Sequence, residues 1–96
     1  MRKSVLDFTG CVEEKDFYDR IIEALGLGVG YCGKNFDAIY DFSRTEKIPD
    51  KVEITGTAKL TGYLESVCLK RMVSTLDDIK EFYESRGRTF EYEVID

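Results

Sequence analysis

The sequence predicts an α/β fold, a small three-stranded parallel sheet flanked by about four helices. Two observations carry this. Short apolar runs alternate with amphipathic stretches along 96 residues, and the stretches between runs are long enough for the helical crossovers that parallel pairing requires. A hydrophobic content of 43% with a single proline provides a core and excludes an intrinsically disordered chain. At this length two independent cores are not expected, so residues 1–96 are read as a single domain.

Residues 4–8 form the first strand, ended by Thr9-Gly10. A helix over residues 14–25 follows, because Phe17, Tyr18, Ile21, Ile22 and Leu25 recur at three- and four-residue steps, and Gly26 or Gly28 stops it. The glycine-rich segment 28–33 is a loop, and Asn35 caps a short second helix over residues 36–44 with Phe36, Ile39 and Tyr40 on one side. Ile48-Pro49-Asp50 turns the chain into a second strand, 51–55, where Val52 and Ile54 alternate with polar residues. Between residues 58 and 86 two helical stretches are expected. One turns Leu60, Leu64, Val67 and Cys68 inward, the other Met72, Val73, Leu76, Ile79 and Phe82 or Tyr83, with a break near residues 68–71. Gly87 caps the last helix, and residues 89–95 form the third strand, with Phe90, Tyr92 and Val94 on one face.

Charge narrows the function. Fourteen Lys and Arg against 19 Asp and Glu give a formal charge of −5, the wrong sign for gripping a nucleic-acid backbone and the right one for a basic protein partner. Histidine is absent, which removes the commonest general base and the commonest metal ligand. Cys11, Cys32 and Cys68 are odd in number and widely spaced, so neither a disulfide framework nor a zinc site is expected, and a reducing cytoplasm fits best. Asp7 interrupts the apolar run after Met1-Arg2-Lys3, leaving no signal-peptide core, and no stretch approaches the roughly 18 apolar residues of a membrane span. No metal and no cofactor is expected.

Gly28, four residues, then Gly33-Lys34 match the spacing of a phosphate-binding loop, and Gly28, Gly30 and Gly33 match Gly-x-Gly-x-x-Gly. Both motifs need a strand before the glycines, and here an amphipathic helix precedes them. The simpler reading is a chain reversal between helices. Cys32 lies near the positive end of the second helix, where a thiol is activated in some enzymes; without a histidine to serve as base, an ordinary loop or partly buried cysteine is favoured.

Asp37 and Asp41 are four residues apart and project from one flank of the second helix. Asp37 in the first turn complements the helix dipole. Asp41 has no such reason: aspartate is a poor helix former, and like charges at this spacing repel by about 0.2–0.5 kcal/mol. Arg44 is positioned to offset Asp41, and Lys34 to offset Asp37. On spacing alone a solvated charged flank and a binding face both stay open. Tyr31 and Tyr40 add aromatic surface beside the acids, a composition suited to an interface, although Tyr40 fits a half-buried core position equally. Use of the two carboxylates as acid and base finds no cleft to split their roles.

The run Tyr31-Cys32-Gly33-Lys34-Asn35-Phe36-Asp37-Ala38-Ile39-Tyr40-Asp41 resembles the inhibitory segment of the barstar family, intracellular inhibitors of barnase-type ribonucleases, and the order of elements parallels that family from Ser4 to Ile95. The resemblance implies a cytoplasmic, non-enzymatic ribonuclease inhibitor, monomeric when free and needing no cofactor, that protects its own cell from a basic secreted or toxin ribonuclease. The second helix and its preceding loop would plug the nuclease site. Asp41 would be the central acid, Asp37 its neighbour, Tyr31 a cover, and Gly33 and Asn35 the residues that set the loop. Tyr40 stands where the family often has tryptophan. A further acid on the last helix is implied, with Glu81 and Glu84 both candidates. Lys34 and a shorter, tryptophan-free stretch at 42–47 depart from the family pattern. Two alternatives are an acidic interaction module of the same fold with a basic partner that is not a nuclease, and a small thiol enzyme centred on Cys32.

Overall fold

A computed structural model describes residues 2–96. Strands β1 (Lys3–Asp7), β2 (Lys51–Thr55) and β3 (Glu91–Val94) make one parallel sheet in the order β1-β2-β3, with β2 central. The register sets Leu6 beside Ile54 and Val52 beside Tyr92. Leu6, Val52 and Ile54 are buried on one face, whereas the other carries cross-strand ion pairs, Lys3 with Glu53 at 3.6 Å and Lys51 with Glu93 at 3.4 Å. The alternation read from the sequence therefore separates core from solvent in β2. In β3 it does so less fully: Phe90, just before the strand, is fully buried, Tyr92 half-buried and Val94 exposed. Strand bounds differ by a residue or two from those expected at 4–8 and 89–95.

Helix α1 (Glu14–Leu25) has the predicted limits, buries Phe17, Tyr18, Ile21, Ile22 and Leu25, and stops at Gly26, whose φ is 72°. Phe17 stacks on Phe8 with ring centroids 4.6 Å apart, and Phe36 closes edge-on against Tyr18 at 5.0 Å, so α1 joins the end of β1 to the start of helix α2 (Phe36–Thr45).

Among the described residues three helices, not about four, flank the sheet. The expected break near residues 68–71 does not occur. The chain runs through one π-helical turn, Leu64–Cys68, straight into α3 (Leu69–Glu84). The inward residues Leu64, Cys68, Met72 and Leu76 recur every four positions. At 3.6 residues per turn each such step overshoots a full turn by about 40°, so the stripe would drift out of the core. The wide turn, closed by the Leu69 N–H donating to the Leu64 carbonyl, absorbs that drift. A phase correction inside a single helix had the look of a boundary between two.

No helix of the described residues is long and apolar enough to cross a membrane. All three cysteines are free and buried.

Candidate functional site

Asn35 fixes the start of α2. Its backbone is extended, and its side-chain Oδ1 accepts the Ala38 N–H at 2.7 Å, satisfying one of the donors a helix leaves open at its first turn. Gly33 fits tightly beneath this cap: a Cβ there would lie 3.2 Å from both the Ala38 Cβ and the Asn35 Nδ2. The Gly33 carbonyl in turn accepts the Asn35 N–H at 2.9 Å. These two residues set the angle at which the loop meets the helix.

The loop before them is folded on itself. The Gly28 carbonyl accepts the N–H groups of Tyr31 and Cys32 at 3.1 and 3.2 Å, and Cys32 is buried beneath it. These amides and that of Asn35 are thus used internally, which removes the phosphate-loop reading. Tyr31 projects outward with 87% of its surface exposed, and Val29 beside it is also exposed. Burial pushes the Cys32 thiol above its ordinary range, away from the thiolate a nucleophile needs. The thiol-enzyme alternative is therefore corrected: Cys32 anchors the loop from inside.

Along α2, Phe36, Ile39 and Ser43 face inward while Asp37 and Asp41 are exposed. The far end of the helix is tied to α3. The Ser43 hydroxyl donates to the Ile39 carbonyl at 2.7 Å, and the Tyr83 hydroxyl donates to the Ser43 carbonyl. A cap at one end and this tie at the other hold the helix that carries the acidic flank. Tyr40 is half-buried on the same helix, its ring 4.9 Å from the Arg44 guanidinium.

The two expected counter-charges part company. Arg44 Nη2 lies 2.8 Å from Asp41 Oδ1, as its spacing implies. Lys34 does not offset Asp37. Its ammonium reaches both oxygens of Asp19 on α1, donating a hydrogen bond to Oδ2 at 3.0 Å and making an ionic contact with Oδ1 at 2.8 Å. The sequence pairing failed because Asp19 comes from a different helix, 15 residues earlier. Among the described residues Asp37 makes no ion pair.

The acids of α3 separate in the same way. Glu81 lines a shallow groove of about 340 Å³ with Tyr40, Asp78, Phe82 and Ser85, next to α2. Glu84 is paired with Lys80 at 2.8 Å, and Lys80 itself lines a depression along β3. The structure therefore brings Glu81 to the flank of Tyr40 and leaves Glu84 off it. Asp78 was missed by sequence reasoning, though its place three residues before Glu81, on the same helical face, was the signal available.

Fixed carboxylates, an outward tyrosine and a half-buried aromatic make a surface suited to receiving cations of another protein. Among the described residues no group of three or more Cys, Asp and Glu side chains is arranged to hold a metal ion. Comparison with curated proteins and with solved structures gives no match. A family model described as Barstar (barnase inhibitor) matches residues 1–95. On that match over nearly the whole sequence, the chain belongs to the barstar family, a family of ribonuclease inhibitors and not of enzymes.

Proposed function

We propose that this protein is an intracellular inhibitor of a basic, barnase-type ribonuclease and that it works by substrate mimicry. A ribonuclease must gather cationic side chains to hold RNA phosphates. Carboxylates held at fixed positions satisfy the same cations and, being part of a rigid protein, lose little freedom on binding. Asp41 is the central acid, Asp37 its neighbour and Glu81 the contribution of α3. Tyr31 covers the rim of the nuclease site and Tyr40 forms the aromatic floor beside Asp41. Gly33 and Asn35 act indirectly, by setting the loop and the helix start. Glu84 does not line the groove beside Tyr40 and has no part in this reading. The free inhibitor is a monomer of one domain and uses no cofactor.

The single observation that supports this most is the exposure of Asp37 and Asp41 on a helix that is capped at its start and hydrogen-bonded to α3 near its end. Asp41→Ala should weaken inhibition of the cognate ribonuclease at least about 30-fold, a loss of roughly 2 kcal/mol or more, because it leaves a buried cation of the partner unpaired. Inhibition by the variant equal to that of the parent protein would remove the mechanism. Capture of a basic partner with no RNA-cleaving activity would replace it with the interaction-module alternative.

A further inference from the structure

Among the described residues, Arg44 is the one cation that touches the proposed central acid. Its Nη2 is 2.8 Å from Asp41 Oδ1, and its guanidinium lies 4.9 Å from the Tyr40 ring centroid and 5.9 Å from that of Phe82. It therefore occupies, within the free protein, both the acid and the aromatic surface that an incoming cation would use. From this we infer that Arg44 is a built-in competitor for the cation Asp41 receives, and so a specificity-determining residue. The inference rests on the role of Asp41 proposed above.

The geometry states how the competition runs. A guanidinium gains most from a carboxylate by taking both oxygens in a two-pronged contact. With Arg44 already donating to Oδ1, a newcomer that takes both oxygens must share Oδ1 with a second guanidinium, and the two like charges repel unless Arg44 leaves. Arg44 has somewhere to go, because it also lines a cleft of about 550 Å³ whose walls include Glu46 and Asp50. Asp50 Oδ2 there already accepts the Arg2 N–H at 2.7 Å, which leaves its other oxygen and both of Glu46 as acceptors for a displaced side chain. An exposed ion pair reinforced by an aromatic face is worth about three- to tenfold in competition. A partner that buries a two-pronged contact on Asp41 overcomes this readily. A basic surface offering scattered single contacts does not, so Arg44 biases the face toward deep cationic pockets and against casual basic proteins.

The test needs no knowledge of the partner. A hexa-arginine peptide is titrated at low ionic strength into the intact protein, and the amide shifts of residues 37–42 report its dissociation constant at this face. Arg44→Gln should tighten binding about three- to tenfold. Lys59→Gln is the control: Lys59 is exposed in the turn after β2, and its removal makes the same change in net charge. It should move the constant less than about twofold. On an Asp41→Asn background the Arg44→Gln gain should vanish. Binding by Arg44→Gln that is absent, weaker or no tighter than in the Lys59→Gln control overturns the inference, as does a gain that survives Asp41→Asn. The two readings fail separately. If Asp41→Ala abolishes ribonuclease inhibition while Arg44→Gln shows no gain, only the competitor role is lost. If Asp41→Ala inhibits normally, the inhibitory mechanism is lost whatever the peptide shows.

Discussion

Asn35 does two jobs with one side chain. It satisfies the Ala38 N–H, and by holding its own backbone extended it ends the glycine loop and begins α2 in a fixed direction. Replacing it with alanine should cost about 1 kcal/mol of stability, a fall in Tm of roughly 4–8 °C for a chain of this size. Asn35→Gly should recover most of that loss, since glycine is tolerated at this cap position. Thermal unfolding of the two variants checks both statements, and equal losses would contradict the capping role. The cap was legible from the residue type at the head of an apolar-periodic run. The partner of Lys34 was not: Asp19 is remote in sequence, and its approach depends on how α1 and α2 lie against each other. The same limit separates Glu81 from Glu84. Both are exposed acids on α3, and only its docking onto α2, through Tyr83 and Ser43, decides which one borders Tyr40.

At the scale of elements, the parts decided by local pattern agree with the sequence reading. The limits of α1 and β2 follow from a clean apolar period bounded by a stop or turn residue. The π-helical turn at Leu64–Cys68 escaped because its signature, a phase shift within a continuing stripe, is also what two short helices produce. Gly56, just after β2, shows a constraint that pattern alone does not reveal. Its φ is 78°, and a Cβ there would sit 2.6 Å from the Thr9 N and 3.0 Å from the Phe8 carbonyl carbon, both in the stretch that leaves β1. Gly56→Ala should lose more than about 2 kcal/mol, since the backbone of a neighbouring strand exit cannot move aside cheaply. Gly62→Ala is the matched comparison. Its φ is also positive, 61°, yet nothing lies within 4 Å of the added carbon, so it should cost only about 1 kcal/mol. Urea unfolding midpoints measure the difference, and similar losses at the two sites would contradict the close-approach account.

Over the whole molecule, a formal charge of −5 favours approach of a cationic partner, and in the proposed mechanism the carboxylates of α2 and α3 would set where it docks. Mimicry requires that the protein and RNA use the same cations of the nuclease and therefore exclude one another. The direct measurement is RNA cleavage by the cognate ribonuclease at fixed inhibitor, with substrate raised from well below to well above its KM. The account predicts competitive inhibition: the apparent KM rises with inhibitor, kcat is unchanged, and a mononucleotide bound in the active site weakens the inhibitor's association. Inhibition that lowers kcat at saturating RNA, with association indifferent to the mononucleotide, would contradict it.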